Sequence, residues 1–425
     1  MEVTKKPCLH QEWIDREALD IVRTLQSQGF ITYLVGGCVR DLLLSKHPKD
    51  YDIATDARPG DVKRHVRNAY VIGKRFRLVL VKRGDQQFEV ATFRRDLVED
   101  EELPEHISSG DNLFGTPEQD ANRRDFTING LLYDPMENKL IDYCEGLPDL
   151  DEKMVRMIGD PDRRLREDPI RILRGIRLAH LVRFTLEPNL RSAMEANAST
   201  LLETALPRRR EEFLKFLRLD DPSQAFIESF DLGLLKYIAP HLHEVLADKN
   251  KAEMFTHLVS RFHEKPLDHK DPLQLFGALI LAYYRTMFNA DPEQAVSTNQ
   301  ILDNPDMLAL MRDELGMFKM EQAMVAKALH MQSTLRKRSE FENRGEKRQL
   351  AVLQTEAFPL ALQFASRDYS LSGEDWLFWA QHYEQSQEKI AAAQAKSRRT
   401  RRRTRRKRPA KKGGKSEQSS ANNQS

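Results

Sequence analysis

The segment "YLVGGCVRDLLL", residues 33–44, combines an apolar strand, a double glycine and the beginning of a helix. A turn of this kind can place backbone N–H groups against a phosphate, and Arg40 can add a charge-assisted hydrogen bond. Double glycines also occur in ordinary structural turns. The segment therefore predicts a strand–turn–helix unit and leaves a phosphate site open.

A second strand is predicted shortly afterwards, in "KDYDIAT" (49–55), and it carries Asp50 and Asp52. Side chains alternate between the two faces of a strand, so both carboxylates are expected on one face. Like charges side by side destabilise a strand. Mg²⁺ would offset that repulsion, since it is commonly held by one or two carboxylates together with substrate phosphates. The alternative is a solvated Asp-X-Asp on an edge strand.

Beyond these segments, the chain divides into a mixed region and a helical region. Residues 78–83 and 87–94 alternate like the strands of a hairpin, and mixed strand–helix patterns continue to about residue 150. Residues 96–111 are acidic and broken by proline, which is typical of a loop. From about residue 165 the pattern is helical almost throughout. The expected fold class is α+β.

Composition limits the class of protein. The 425 residues suffice for two or three domains, and 40% hydrophobic with 31% charged residues is typical of a soluble protein. The longest apolar stretch, 275–284, is too short to span a bilayer, and residues 1–13 lack the apolar core of a signal peptide. Cys8, Cys38 and Cys144 show no metal-type spacing, so reduced thiols in a cytoplasmic protein are expected.

Five motifs follow one another in a fixed order. They are "YLVGGCVRDLLL", "KDYDIAT", "FEVATFRRD" (88–96), "RRDFTINGLLYD" (123–134) and "REDPIRILRGIRLA" (166–179). Over about residues 30–240 they resemble the class II tRNA nucleotidyltransferase and bacterial poly(A) polymerase family. The resemblance implies a polymerase-β-type nucleotidyltransferase head (1–150) with a mixed sheet. A helical neck (151–225), a helical RNA-binding body (226–395) and a disordered basic tail (396–425) would follow.

The same resemblance implies the catalytic residues. Asp50 and Asp52 match the carboxylates that bind Mg²⁺, and Asp125 matches an acidic residue grouped with them in poly(A) polymerases. Glu89, on a neighbouring predicted strand, is the alternative third acid of the metal site. Asp125 could instead form a buried ion pair with one of the arginines before it, Arg123 or Arg124, and the sequence leaves these alternatives open.

Nucleotide binding is assigned in the same way. Gly37, Arg40 and Arg124 match family positions that contact the triphosphate or the ribose. Asp168, Arg171 and Arg174 recur every three residues and would share one flank of a helix, as in a solvated ion-pair ladder. In the family, side chains at this place read the incoming base. Asp168 and Arg171 are therefore expected to read the base, and Arg174 to add a further nucleotide contact.

Two features favour polyadenylation over CCA addition to tRNA. "VIGKRFRLVLV" (71–81) is similar to a stretch that marks bacterial poly(A) polymerases, and the basic tail resembles their C-terminus. The expected activity is template-independent transfer of AMP from ATP to RNA 3′ ends, which promotes RNA processing and decay. The alternatives are a CCA-adding tRNA nucleotidyltransferase and a catalytically inactive RNA-binding relative. The expected partners are RNA 3′ ends, ATP and RNA-decay machinery, and the chain is expected to act as a monomer.

The basic charge is concentrated in the tail. Of 67 Lys and Arg residues, 13 lie within 396–415, a segment without acids; the other 54 stand against 65 Asp and Glu, a net charge near −11. Such a tail would bind RNA phosphates with little sequence preference and a strong salt dependence. The arginines expected to contact RNA are Arg398, Arg399, Arg401, Arg402, Arg403, Arg405 and Arg406.

Overall fold

The computed structural model describes residues 3–5, 9, 11–73, 78–96, 113–261, 267–268, 270–288 and 295–391. Three segments singled out from the sequence lie outside these residues: most of the acidic loop, the basic part of 71–81 and the whole tail. The predictions made for them stay predictions.

Twelve strands lie in the first half of the described chain. They are β1 (Val3–Lys5), β2 (Thr32–Val35), β3 (Asp52–Thr55), β4 (Ala69–Ile72), β5 (Leu78–Arg83), β6 (Gln86–Thr92), β7 (Arg94–Arg95), β8 (Leu113–Phe114), β9 (Leu132–Asp134), β10 (Lys139–Asp142), β11 (Met154–Val155) and β12 (Thr185–Leu186).

Eight of these strands form one mixed sheet, in the order β1-β10-β9-β2-β3-β6-β5-β4. The predicted hairpin is present as β5 and β6, which pair antiparallel. β3 and β6 pair in parallel, and all other neighbours in this sheet are antiparallel. A buried cluster combines side chains of four sheet strands with two from outside the sheet, and it comprises Val35, Ala54, Phe93, Ala121, Leu132 and Ile141.

The second strand is shorter than predicted. β3 begins at Asp52, not at residue 49, and Asp50 lies in the bend before it. The reason is the glycine turn, because β2 ends at Val35, the partner of Asp52, and Gly36 then turns the chain away at φ 77°. Residues before Asp52 therefore have no β2 residue to pair with. Tyr51 is anchored instead, and its hydroxyl donates to the carbonyl of Trp13 at 2.6 Å.

Helices dominate the rest of the described chain, as the sequence predicts. They are α1 (Arg16–Ser27), α2 (Gly37–Leu43), α3 (Pro59–His65), α4 (Pro117–Asn122), α5 (Gly146–Asp151), α6 (Pro161–Glu167), α7 (Ile170–Val182), α8 (Pro188–Ala196), α9 (Leu206–Phe216), α10 (Pro222–Asp231), α11 (Leu235–Ile238), α12 (Pro240–Ala247), α13 (Lys249–Ser260), α14 (Pro272–Met287), α15 (Thr298–Leu302), α16 (Pro305–Ala309), α17 (Lys319–Leu335), α18 (Arg338–Glu342), α19 (Glu346–Leu353), α20 (Phe358–Arg367) and α21 (Gly373–Gln385).

The helix that carries Arg171 and Arg174, α7, begins at Ile170. Asp168 is extended at φ −150° and ψ 91° and separates α6 from α7. The steric restriction that proline imposes on the residue before it explains this break, since Pro169 disfavours a helical Asp168. α7 packs against α9 and α10.

The described residues fall into two compact units. The first comprises residues from 1–289 together with 304–319, and the second comprises residues from 290–303 together with 320–425. The division into head, neck, body and tail stays a prediction. No helix in the described part of the chain is long and apolar enough to cross a membrane. Cys38 and Cys144 are both free thiols.

Candidate active site

A cleft of about 340 Å³ in the first unit collects most of the predicted site. It is formed by the turn after β2, the start of β3 and the segment after α4. One flank of α7 and the short non-helical link between α6 and α7 complete it. Its lining comprises Gly36, Gly37, Arg40, Asp52, Arg123, Arg124, Asp125, Asn129, Asp168, Arg171 and Arg174.

The glycine turn is closely packed by the guanidinium of Arg124. A Cβ placed on Gly36 would lie 3.0 Å from Arg124 Nη1 and 3.7 Å from Asp52 Oδ2. At Gly37, the nearest atoms to such a Cβ belong to the Arg40 guanidinium, beginning at 3.5 Å. A side chain at Gly36 would require the Arg124 guanidinium to shift, whereas the contact at Gly37 is an ordinary van der Waals distance. The double glycine therefore keeps backbone and two guanidinium groups together on one wall of the cleft.

Arg40 is buried and fixed on both sides. Its Nε and Nη2 donate to Asp41 Oδ1 at 2.9 and 2.7 Å, and its Nη1 donates to Asn129 Oδ1 at 2.6 Å. Asn129 in turn donates through Nδ2 to Asp125 Oδ1 at 3.4 Å. A chain of hydrogen bonds thus connects the helix after the glycine turn with the acidic residue of "RRDFTIN".

The two arginines before Asp125 are held by other groups. Arg124 Nη2 donates to the buried Asp120 Oδ2 at 2.9 Å, and Arg123 Nη1 lies 3.6 Å from the other oxygen of Asp120. Arg164, on α6, donates from Nη2 to the carbonyls of Arg123 and Arg124 at 2.7 and 2.9 Å. Arg164 of α6 therefore fixes the backbone of these two arginines directly.

Asp52 and Glu89 stand side by side in the sheet. They are direct partners in the parallel pairing of β3 with β6, so their side chains share a face. Desolvation in the cleft raises the pKa of Asp52, Arg124 opposes the rise, and Asp50 adds to it. Desolvation also raises the pKa of Glu89, and Asp52 and Asp50 raise it further. The three carboxylates thus repel one another.

Asp50 lies on the other side of this group. It lines a neighbouring cleft with Trp13, Lys49 and Gln86, not the cleft that contains Asp52. Among the residues that the structure describes, no group of three or more His, Cys, Asp or Glu side chains is close enough to hold a metal ion. The carboxylate oxygens nevertheless fit Mg²⁺, because this cation is commonly bound by one or two carboxylates together with substrate phosphates. A bound Mg²⁺ would also offset the repulsion between the carboxylates.

Asp125 has a different environment. Its Oδ2 lies 2.5 Å from Arg174 Nη2, and its Oδ1 accepts from the backbone N–H of Phe126 at 2.9 Å. Burial alone would raise the pKa of Asp125, but Arg174, Asn129 and the Phe126 N–H outweigh burial and lower the pKa. The ion pair of Asp125 is therefore with Arg174 on the neck helix, and not with Arg123 or Arg124 as the sequence reading considered.

Asp168, Arg171 and Arg174 all line the cleft, but Asp168 lies before α7 and does not share its helical flank with the two arginines. Both oxygens of Asp168 accept from Arg208, at 2.9 and 2.8 Å. Arg171 Nη1 donates to the carbonyl of Arg164 at 2.6 Å and contacts Glu167 Oε2 at 3.3 Å. A carboxylate has about four lone-pair positions, so Asp168 can hold Arg208 and still accept from a base.

Gly175 brings the neck helix close to the acidic motif. A Cβ there would meet the Phe126 ring at 3.2 Å and the Met194 methyl at 2.4 Å. Because Gly175 has no side chain, Phe126 can pack against α7. This packing places Asp125, the residue before Phe126, within reach of Arg174, the residue before Gly175.

Eight of the nine residues predicted for catalysis and nucleotide binding line the one cleft, and Asp50 lines its neighbour. The sequence reasoning missed Asn129, Asp120, Arg164 and Arg208. Asn129 and Asp120 lie within or beside "RRDFTIN" and could have been considered on that ground. Arg164 and Arg208 carried no signal, because their partners are distant in sequence. The seven tail arginines lie outside the described residues.

Comparisons with known proteins show which family the chain is similar to. Residues 32–156 match the family described as "Poly A polymerase head domain", and residues 183–246 match "Probable RNA and SrmB- binding site of polymerase A". Poly(A) polymerase I of Haemophilus influenzae is 36% identical over 309 residues, which are 71% of this chain and 68% of that protein. Matches to two further poly(A) polymerase I sequences span only 53% and 46% of their lengths.

Relatives with the other activity are also similar. The CCA-adding enzyme of Lactobacillus helveticus is 37% identical over 200 residues, 47% of this chain and 49% of that protein. A solved structure of a CCA-adding enzyme in complex with ATP superposes with a TM-score of 0.59 at 19% identity, covering 91% of this chain and 86% of that one. At that identity the structural match establishes the fold alone.

Proposed function

Because the chain belongs to the class II tRNA nucleotidyltransferase and poly(A) polymerase family, and to its bacterial poly(A) polymerases, we propose that it is a polynucleotide adenylyltransferase. It adds AMP from ATP to RNA 3′ ends without a template and releases pyrophosphate. The observation that carries this proposal is the single cleft that joins the glycine turn, Asp52, the arginines and the neck flank.

The triphosphate is assigned to the cationic wall of the cleft. Arg40 and Arg124 present guanidinium groups there, and Gly37 lets phosphate oxygens approach the backbone closely. Arginine matches phosphate geometry with two parallel hydrogen bonds. Because Arg40 and Arg124 are already held by Asp41, Asn129 and Asp120, they lose little conformational freedom when the nucleotide binds.

The base is assigned to the flank of the neck. Arg171 supplies donors, and Asp168 supplies acceptor positions for an exocyclic amino group of adenine. Arg208 keeps the Asp168 carboxylate in one orientation. Arg174 lies between the base flank and Asp125, so it couples the base site to the acidic motif.

The metal is assigned to Asp50 and Asp52. Mg²⁺ bound there with the triphosphate would neutralise charge on the phosphates and lower the pKa of the attacking hydroxyl. For the third acid we favour Glu89 over Asp125. Glu89 is the sheet partner of Asp52 and shares the repulsion within the carboxylate group, whereas Asp125 is committed to Arg174, Asn129 and the Phe126 N–H.

The transfer itself requires positioning more than covalent chemistry. The RNA 3′-oxygen forms a bond to the α-phosphorus of ATP, and the bond between the α-phosphorus and the bridging oxygen of pyrophosphate breaks. Arg40 and Arg124 would hold the pyrophosphate half, and the neck flank would hold the adenosine half. The α-phosphorus is thereby kept in place beside Asp52 for the incoming hydroxyl.

The choice of poly(A) over CCA rests on the similarity to poly(A) polymerase I, on the "GKRFR" stretch and on the basic tail. Action on many transcripts in the cytoplasm, as a monomer working with RNA-decay machinery, is part of the same proposal.

Substitution of Asp52 tests the chemistry. Asp52→Asn keeps the shape of the side chain and removes its charge, so incorporation of AMP into RNA should fall by about 10³-fold or more. Asp56→Asn, just beyond the other end of β3, is the matched control and should keep wild-type incorporation. Unchanged incorporation by Asp52→Asn would contradict the assignment of the cleft as the catalytic centre.

A further inference from the structure

Three consecutive arginines, Arg208, Arg209 and Arg210, lie in the first turns of α9. Arg208 reaches the cleft, where it holds both oxygens of Asp168. Arg210 is buried, and its guanidinium donates to the carbonyl of Gly316 at 3.2 Å. The first turns of α9 therefore connect the proposed base site with a segment of the same unit that contributes no residue to the cleft.

That segment, residues 315–318, follows a single π-helical turn, Leu310–Glu314. Its backbone is tied to the turn, because the Met317 N–H donates to the carbonyl of Met311 at 2.7 Å. Single π-helical turns are rare, and they occur frequently at functional sites. The hydrogen bond gives the backbone of the segment a defined position against which α9 can pack.

Gly316 brings this segment into close contact with α9. Its φ is 65°, a conformation that favours glycine. A Cβ at Gly316 would lie 3.1 Å from Leu206 Cγ and 3.4 Å from Arg210 Cβ. Any larger residue at this position would therefore push the segment and the first turns of α9 apart.

Arg210 stabilises the same contact through its guanidinium. Its Cζ lies 4.9 Å from the centre of the Phe276 ring, on α14, and 4.6 Å from the centre of the Phe318 ring. A guanidinium is attracted to the faces of aromatic rings. Together with the hydrogen bond to Gly316, these two contacts join α9, α14 and residues 315–318 at one point.

We infer that Arg210 is a positioning residue for base recognition, which acts on the incoming nucleotide through Arg208 and Asp168. Its contacts with residues 315–318 and α14 fix the first turns of α9, and those turns determine where the Arg208 guanidinium meets the Asp168 carboxylate. A site that recognises a base by hydrogen bonds discriminates only while its donors and acceptors keep their places. This role rests on the proposed assignment of the base to Asp168 and Arg171.

Nucleotide binding by the full-length protein tests the role of Arg210. Arg210→Met keeps an unbranched side chain and removes the guanidinium. Affinities for ATP, CTP and pyrophosphate are measured by calorimetry with Mg²⁺ and without RNA. ATP affinity should fall about 3- to 10-fold, and the preference for ATP over CTP should fall with it. Pyrophosphate affinity should not change, because Arg40 and Arg124 are assigned to that part of the nucleotide.

The control variant is Glu211→Met, at the next position of α9, where the side chain is exposed. It should keep all three affinities. In steady-state AMP transfer, Arg210→Met should raise the KM for ATP and leave kcat near the wild-type value. A merely structural defect would reduce the folded fraction and lower kcat without changing KM, and thermal denaturation measures that fraction.

A double variant tests whether Arg210 acts through Arg208. Arg208→Met/Arg210→Met should bind ATP no more weakly than Arg208→Met alone, because the second substitution removes support from a side chain that is already gone. Additive losses of ATP affinity would overturn the inference. An unchanged ATP affinity in Arg210→Met, or equal losses for ATP, CTP and pyrophosphate, would overturn it as well.

Gly316→Ala approaches the same contact from the opposite side and leaves Arg210 in place. Gly233→Ala is its matched control, because Gly233 also has a positive φ, 67°, and the nearest atom to a Cβ there is Lys236 Nζ at 3.5 Å. Only Gly316→Ala should weaken ATP binding, and equal ATP affinities in the two variants would contradict the inference. A wild-type protein that adds no A tails would refute the proposed function instead, and the nucleotide affinities would still test Arg210.

Discussion

At the scale of single residues, the acidic side chains of the site fall into two kinds. Asp52 and Glu89 repel each other and Asp50, and desolvation and this repulsion raise their pKa values. Asp125 is stabilised as a carboxylate by Arg174 and two hydrogen bonds, and its pKa is lowered. A bound cation would relieve the repulsion of the first kind, as the proposed function requires, whereas the second kind is already paired with neighbouring side chains.

Substitutions separate these two kinds. Glu89→Gln should lower the rate of AMP transfer strongly while leaving the KM for ATP and the thermal stability near the wild-type values. Asp125→Asn should raise the KM for ATP and cost about 1–3 kcal/mol of unfolding free energy, because a buried ion pair and its hydrogen bonds are weakened. Steady-state kinetics and thermal denaturation of both variants provide the measurements. If Asp125→Asn, and not Glu89→Gln, strongly lowered the rate of AMP transfer and changed its dependence on Mg²⁺ concentration, Asp125 would be the third acid of the metal site.

The raised pKa values predict a pH-dependent gain in stability for Asp52→Asn. A carboxyl whose pKa is raised in the folded state binds more protons folded than unfolded, so stability falls as pH rises past the ordinary value. The variant should therefore be more stable than the wild type at about pH 7 and nearly equal to it below about pH 3, where the Asp52 carboxyl is protonated in both the folded and the unfolded state. Mg²⁺ should narrow the difference at neutral pH by stabilising the wild type. If the two proteins differed in unfolding free energy by the same amount at both pH values, the charge of Asp52 would not explain the difference in stability.

At the scale of elements, the site is assembled by the turn after β2 and by the break before α7. Gly36 has φ 77° and ψ −137°, a conformation that residues with a side chain rarely adopt. This turn ends β2, so that Asp52 begins β3 beside the double glycine. The break at Asp168 and Pro169 brings Asp168 to the cleft, although it lies outside the helix that carries Arg171 and Arg174.

Gly36→Ala tests the turn. The unfavourable backbone conformation should cost about 1–3 kcal/mol, and the added Cβ should displace the Arg124 guanidinium and raise the KM for ATP. Gly60→Ala is the matched control, because a Cβ there meets no atom within 4 Å. The control should keep the stability and KM of the wild type. Thermal denaturation and ATP titration check both results, and a Gly36→Ala protein with wild-type KM would contradict the proposed role of the turn.

Local patterns predicted β2, β3, β5, β6 and the helical character of the chain after about residue 165. The ordered motifs predicted most of the cleft. The hairpin, the glycine turn and the neck flank could all be read from neighbouring residues. Long-range partners could not. The hydrogen bond from Arg40 to Asn129 joins residues 89 positions apart, and the pair of Arg208 with Asp168 joins residues 40 positions apart. The start of β3 was also wrong by three residues, because strand length depends on the partner strand and not on local propensity.

At the scale of the whole molecule, the fold by itself does not select the polymer. The chain superposes over 91% of its length on a CCA-adding enzyme, while its sequence matches 68% of a poly(A) polymerase I. The proposed function therefore places the difference in the residues assigned to base recognition, Asp168 and Arg171, and in the contacts made with RNA outside the cleft.

The most direct test measures which nucleotide is added to which RNA. Purified protein is given ATP or CTP with either a generic single-stranded RNA or a tRNA that lacks its terminal CCA. The account predicts long A tails on the generic RNA from ATP and little incorporation from CTP. Efficient completion of CCA on the tRNA, with no A tails on the generic RNA, would contradict it.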